Sequence, residues 1–562
     1  MSRLLTMKNL VIEGFQRQQW TKIVCGVDVH IDRGEVLGLI GESGAGKSTI
    51  GIASMGLCRA GCRIVGGTIN FGGTELTTAS EKELRKIRGV RISYVAQSAA
   101  ASFDPAHRLI RQYAEAPVKH GTLSRAEAEK DARELYRRFG LPEPDTFGDR
   151  FPHQVSGGQL QRAMVAMAMA CKPDLIIFDE PTTALDVTTQ IEVLATIKDA
   201  IKDLNSAAIY ITHDLAVVAQ VADRIMVLRH GKLVEEGELR EILANPKQEY
   251  TRALLSVRKG GGVKIARADE GKPLLEVKDV TAAYGDGGLV LQDVNLKLTR
   301  SKTVAVVGES GSGKSTLARV ITGLMLPIRG NVMFDGQELP ARFSDRSKEM
   351  LRRLQMIYQM PDVALNPRQK ILEILGRPVE FYFGMRGMKK RKRVADLLEK
   401  IELPDHYMNR FPSELSGGEK QRVCIARALA AEPDLIICDE VTSSLDQLVA
   451  KEILKLLQRL QNDLGVSYLF ITHDLATVKA ISDEIVVMSQ GRVVEHGTRD
   501  EVLTPPHHKY TQLLLASVPE MDPDWLDNLL KSRVGSLLRE GRASQVVAEG
   551  VRLKLLDNDV GR

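Results

Sequence analysis

Two stretches of this chain combine glycines, a lysine and hydroxyls at a spacing that suits a polyphosphate. Gly41, Ser43, Gly44, Gly46, Lys47, Ser48 and Thr49 stand in GESGAGKST, and Gly308, Ser310, Gly311, Gly313, Lys314, Ser315 and Thr316 stand in GESGSGKST. Glycines let successive backbone N–H groups turn inward around phosphates, and a helix beginning at the lysine adds positive potential. Lys47 and Lys314 would neutralise β- and γ-phosphates, while Ser48 and Ser315 would ligate Mg²⁺. Each stretch follows an apolar segment, residues 36–40 or 304–307, which is the strand-then-loop context this pattern requires.

Acidic pairs form the second chemical feature. LIIF at residues 175–178 and LIIC at 435–438 read as buried strands, each ending in Asp then Glu. The carboxyl end of such a strand delivers Asp179 or Asp439 beside the phosphates. There the Asp can hold Mg²⁺ through its water shell, and Glu180 or Glu440 is placed to polarise an attacking water. An isolated Asp-Glu pair after a strand is usually a charged turn; the phosphate loop upstream in the same segment favours the chemical role.

The elements that position these groups occur twice. VSGGQLQR at 155–162 returns as LSGGEKQR at 415–422, LIIFDEPTTALD as LIICDEVTSSLD, and ITHDLA at 211–216 as ITHDLA at 471–476. Order is kept and spacing nearly so, which two copies of one domain explain. We expect domains at 1–257 and 274–519, an extension at 520–562, and a Gly-rich, charged linker at 258–273. Short apolar strands such as 175–178 and 208–211 alternate with helical stretches such as 190–204, predicting an α/β domain around a mainly parallel sheet. A more helical insert carries the SGG motif.

Composition bounds the remaining possibilities. With 562 residues, 43% hydrophobic, the chain can bury two substantial cores. A net charge of +5, from 77 basic and 72 acidic residues, does not suggest a nucleic-acid partner. The six cysteines are scattered. Cys58 and Cys62 could form half a metal site, but no second Cys or His pair has ligand spacing, so they read as core-compatible residues of a reducing compartment. Residues 1–10 lack the apolar core and cleavage site of a secretory signal, and no run of about 18 apolar residues exists. These features predict a cytoplasmic protein.

Taken together, the phosphate loop, a Gln after a strand, SGGQ-type signature, acidic pair, SALD- or SSLD-type loop and late His follow the motif order of ABC ATPases, and the chain resembles that family twice over. The resemblance implies two tandem P-loop NTPase domains, each a RecA-like core with a helical insert, arranged head-to-tail, with ATP and Mg²⁺ as cofactors. It implies Gln97 and Gln359 as sensors of Mg²⁺ and the γ-phosphate. Asp186 and Asp446 would communicate across the domain pair, and His213 and His473 would be switch histidines on the γ-phosphate. Phe15 and Tyr284 fall where the family places an aromatic under adenine, with Trp20 a competitor to Phe15. Ser156, Gly157 and Gly158, and Ser416, Gly417 and Gly418, resemble the signature that contacts the other domain's ATP. Val155 and Val441 depart slightly from the family pattern.

The tails at 245–257 and 505–519, and the Gln-led stretches at 359–367 and more weakly 97–105, resemble ATPases of the oligopeptide/dipeptide/nickel importer family. Fused members occur there, such as the Yej-type peptide importers and the glutathione importer. That implies a peripheral subunit on the cytoplasmic face of the bacterial inner membrane. Its partners would be two transmembrane permease subunits and an extracytoplasmic solute-binding protein, with peptides as cargo and oligosaccharides, opines or nickel as alternatives. A soluble ATPase acting on the ribosome is disfavoured by the short linker, and a DNA-repair type by the missing zinc-module cysteines.

Overall fold

The computed structural model of the protein describes residues 3–16, 19–182, 185–259, 271–285, 287–443 and 445–532. Their contacts divide into two compact units: the chain up to Val257, rejoined by the chain from Ser517, and the chain from Arg258 to Ala516. Most of the linker expected at 258–273 lies outside the described residues.

In the first unit a six-stranded sheet runs in the order Lys232–Glu238, Arg224–Arg229, Val36–Gly41, Ala207–Ile211, Leu175–Asp179, Ile92–Val95. Every pairing is parallel except the one at the Lys232–Glu238 edge. The second unit repeats it with Arg492–Thr498, Glu484–Ser489, Thr303–Val307, Ser467–Ile471, Leu435–Asp439 and Leu354–Ile357. Strands such as Leu175–Asp179 and Leu435–Asp439 are buried throughout, as strands covered on both faces must be. Register aligns Leu39, Ile211 and Asp179 in one row, and Val306, Ile471 and Asp439 in another. The carboxyl ends of three strands are therefore level, and the chain leaving them meets at one edge of the sheet.

Each unit also holds a four-stranded antiparallel sheet that our mainly parallel reading did not contain. In the first unit it is built on Arg3–Gln16, in the second on Pro273–Ala283. Both strands carry a bulge, with Asn9 at φ +48° and Asp279 at φ +49°, and the pairing shifts between Lys8 and Val11 and between Lys278 and Thr281. A bulge inserts a residue and breaks the period-two alternation by which a strand is recognised. Leu5, Val24 and Ile69 of this sheet pack with Leu39 and Ile209 of the other around Ile50, on the helix that opens at Lys47.

The expected helical inserts are present. Leu109–Lys119, Arg125–Arg138 and Gly157–Met169 form the first, and Ile371–Phe383, Gly387–Lys400 and Gly417–Leu429 the second. In the second, Leu375, Val379, Leu397 and Leu398 share one core with Ile425, Leu429 and the sheet residues Ile436 and Phe470. The signature helix is thus cemented to both insert and sheet. No helix among the described residues is long and apolar enough to cross a membrane.

The chain from Ser517 packs with the first unit and carries the helix Trp525–Lys531, within the extension expected at 520–562. Gln220, 2% exposed, donates from Nε2 to the carbonyls of Glu520 (2.7 Å) and Asp522 (3.1 Å), and its Oε1 accepts from the Leu526 N–H at 3.0 Å. Lys198 pairs with Asp527 and Arg240 with Asp524, both at 2.7 Å. Leu526 on the helix Trp525–Lys531 is fully buried. We expect Leu526→Ala to cost about 2–5 kcal/mol of local stability. Hydrogen exchange would then accelerate over Trp525–Lys531 while Leu175–Asp179 stays protected.

Candidate functional site

At the level edge of each six-stranded sheet, three strand ends assemble one set of groups. The loop after Val36–Gly41 needs its glycines for steric reasons: Gly41 has φ +147°, and a Cβ there would lie 2.1 Å from the Leu228 carbonyl oxygen. Gly308 faces Met488 identically, at φ +153° and 2.1 Å. Lys47 and Lys314 are buried and curl back over their loops. Lys47 Nζ donates to the carbonyls of Gly41 (2.8 Å) and Glu42 (2.9 Å), and Lys314 Nζ to those of Gly308 (2.9 Å) and Glu309 (2.7 Å).

The Ser48 hydroxyl donates to Asp179 Oδ1 at 2.7 Å, and Ser315 to Asp439 Oδ1 at 3.1 Å. Asp179 also accepts from the Tyr94 hydroxyl and lies 3.5 Å from an Arg59 guanidinium nitrogen. Sequence reading did not single out Tyr94 or Arg59. Tyr94 sits on the strand leading to Gln97, and its place on the edge strand beside Leu175–Asp179 was the available signal. On Asp439 burial pushes the carboxyl above its ordinary pKa, despite the Ser315 hydrogen bond.

Glu180 and Glu440 follow their Asp residues in left-handed backbone, at φ +49° and +51°. That region is uncommon for a side-chain-bearing residue, and its recurrence at the same place in both units marks a constrained position. The turn brings three predicted residues together. Gln97 Nε2 donates to Glu180 Oε2 at 2.9 Å, and Gln359 Nε2 to Glu440 Oε2 at 2.5 Å. His213 Nδ1 lies 3.2 Å from Glu180 Oε1, as His473 Nδ1 does from Glu440 Oε1.

Burial opposes charging the His473 ring, but the hydrogen bond and charge of Glu440 outweigh it and raise its pKa. Glu180 raises His213 in the same way. Burial would lift the Glu440 carboxyl, yet His473, with help from Lys314, holds it below the ordinary value. Val441, buried at 1%, occupies the place of Pro181 without changing the histidine–glutamate distance.

The signatures begin the helices Gly157–Met169 and Gly417–Leu429. Ser416 Oγ accepts from the Glu419 N–H at 3.3 Å and Glu419 Oε2 accepts from the Ser416 N–H at 2.7 Å, a capping box that Ser156 and Gln159 repeat. Ser156, Gly157, Ser416 and Gly417 are exposed. Gly158 and Gly418 instead touch the next helix: a Cβ would come within 2.2 Å of Thr189 or 2.5 Å of Val449. Those two residues lie in the first turns capped by Asp186 and Asp446, whose carboxylates accept from their N–H groups. Each signature therefore packs directly on the first turn of the helix that its unit's Asp186 or Asp446 caps.

The aromatic candidates differ between the copies. The Tyr284 hydroxyl is 3.2 Å from Thr316 Oγ1 and accepts from Arg319 at 3.0 Å, so it touches the helix that follows its phosphate loop. Phe15 packs on Trp20 with ring centroids 5.3 Å apart, and Arg63 covers Trp20 at 4.0 Å. Phe15 and Tyr284 are alike half-exposed.

A family model described as "ABC transporter" matches residues 24–183 and again 291–443. One described as "Oligopeptide/dipeptide transporter, C-terminal region" matches residues 494–543. The chain is 36% identical over 565 residues to the glutathione import ATP-binding protein GsiA of Escherichia coli (strain K12), spanning 92% of this chain and 90% of that protein. It is also 36% identical over 561 residues to the protein of that name from Salmonella choleraesuis (strain SC-B67), with the same coverage. With both cassettes matched and the likeness carried across nearly the whole length, the chain belongs to the ABC transporter family, as an ATP-hydrolysing protein with two nucleotide-binding domains.

Proposed function

We propose that this chain is the motor of an importer for small peptides of the glutathione class. It would work at the cytoplasmic face of the bacterial inner membrane with two permease subunits and an extracytoplasmic solute-binding protein. The observation that carries this reading is the likeness to glutathione import ATP-binding proteins over 92% of the chain. The match of residues 494–543 to the C-terminal region of oligopeptide/dipeptide transporters supports it.

The donor sets fit Mg²⁺. Ser48 with Asp179, and Ser315 with Asp439, are hard-oxygen pairs close enough to serve one octahedral ion directly and through water. When bound, the ion would neutralise charge on the β- and γ-phosphates. Lys47 and Lys314 would hold the phosphates, Glu180 and Glu440 would polarise the attacking water, and His213 and His473 would hydrogen-bond the γ-phosphate. Gln97 and Gln359, each bonded to its Glu, would sense that phosphate and the ion and relay both to the helical insert.

The family resemblance implies a crossed arrangement, in which each signature would serve the ATP held by the other domain. Helix N-termini carry outward N–H groups and positive potential, which suit a γ-phosphate. Affinity purification from native membranes tests the assignment. Two permeases should co-purify with the tagged chain; recovery with ribosomes and no permease would reinstate the ribosomal reading.

A further inference from the structure

The tails that follow the two cores, at residues 245–257 and 505–519, reach back to the phosphate loops. Tyr250 lies on the helix Glu249–Lys259 and Tyr510 on Lys509–Ala516, and both are buried, at 8% and 1% exposure. The Tyr250 hydroxyl accepts from the backbone N–H of Glu42 at 3.2 Å. The Tyr510 hydroxyl accepts from the N–H of Glu309 at 2.8 Å. Glu42 and Glu309 are the residues directly after the first loop glycine, and their carbonyls are the ones that Lys47 and Lys314 grip from the other side.

One peptide segment in each loop is thus clamped at both ends, its N–H by the tail tyrosine and its carbonyl by the phosphate-binding lysine. The tail helices are themselves anchored. Glu235 accepts from the N–H groups of Lys247 (2.7 Å) and Gln248 (3.1 Å), and Glu495 accepts from that of His508 at 3.1 Å. In the first unit Arg229 adds to the clamp, with its guanidinium 4.7 Å over the Tyr250 ring and 3.7 Å from the Glu42 carboxylate. The contact recurs in both units, at the Tyr-Thr that the two tails share.

We propose that Tyr250 and Tyr510 are positioning residues of the two phosphate-binding loops, holding the first turn of each loop in the conformation that receives ATP. A loop N–H spent on a protein hydroxyl is aimed away from the phosphates, so the tyrosine contributes no ligand. It fixes the geometry of the N–H groups that do bind, and preorganisation of this kind strengthens binding without a new contact. Since the loop grips phosphate in the ground state and the transition state alike, losing the hydroxyl removes uniform binding. That raises KM and spares kcat.

This inference rests on both loops binding ATP in the intact chain. The test is steady-state ATP hydrolysis by full-length Tyr250→Phe/Tyr510→Phe, which keeps the rings and removes only the hydroxyls. KM for ATP should rise about fivefold or more, the scale of one buried N–H left unpaired, with kcat within about twofold. Leu254→Ala/Leu514→Ala is the packing control: both leucines are buried on the same two helices, at 5% exposure each. It should lower the melting temperature and leave KM in place. An unchanged KM in the Phe variant overturns the proposal, as does an equal KM shift in the packing control. Failure of the wild-type chain to bind ATP at Lys47 or Lys314 would instead overturn the assignment of the sites themselves.

Discussion

Glu440→Gln is expected to leave ATP bound at the second domain while its turnover falls by about 10²–10⁴-fold, and Glu180→Gln to do the same at the first. The substitution keeps size and hydrogen-bonding capacity and removes the basicity needed to polarise water. Both glutamates sit in the same left-handed turn with the same Gln and His contacts, so both sites should be competent. A spectroscopic companion separates loss of a base from loss of shape. Glu440 holds the His473 pKa up against burial; with that carboxylate gone, His473 should titrate below its wild-type position in an NMR pH series. Unchanged turnover from single-site variants would show that the glutamates are not the bases, and Gln359 and His473 would then be gripping a structural carboxylate.

Ser416→Arg carries the second large effect. Ser416 is exposed at a helix N-terminus and caps it through two reciprocal hydrogen bonds. Losing the cap costs about 1 kcal/mol, which the packed helix can bear. Under the proposed crossed arrangement the larger consequence would fall on the nucleotide at that terminus, which would meet a bulky side chain in place of a small hydroxyl. In the crossed arrangement that nucleotide belongs to Lys47. Photo-crosslinked ATP analogue should fall roughly 10- to 100-fold at the first loop, the scale of one lost charge-assisted hydrogen bond, and persist at Lys314. Loss confined to Lys314 would mean that each domain uses its own signature.

Much of the chemistry was legible in the sequence because it depends on short motifs at strand ends. LIIFDE and LIICDE are apolar runs that can only be buried strands, and a carboxylate pair directly after them must emerge at the sheet's carboxyl edge. Both phosphate loops lie at that edge. The pairing of Gln97 and His213 on one glutamate is a tertiary fact, since residues distant along the chain meet only after three strands align. Tyr94 and Arg59 were silent for the same reason.

The antiparallel sheets were missed because bulges at Asn9 and Asp279 erase the alternation that would reveal them. The packing of the chain from Ser517 was silent in the sequence because its anchor, Gln220, is a single polar residue in the turn that follows the short helix Leu215–Val218. Its partners lie roughly 300 positions away, where local periodicity cannot point. The tails at 245–257 and 505–519 were read through their resemblance to the importer family, and the reach of Tyr250 and Tyr510 to the loops is a tertiary fact.

In the proposed function, ATP turnover at Glu180 and Glu440 would drive peptide import. The measurement that tests it most directly is uptake of radiolabelled glutathione by cells from which this gene has been deleted, complemented with the wild-type chain or with Glu180→Gln/Glu440→Gln. Uptake should be restored by the wild type and absent with the double variant at equal membrane-associated protein. Equal uptake with both chains, or none with either while an unrelated solute is taken up in a manner that depends on the chain, would contradict it.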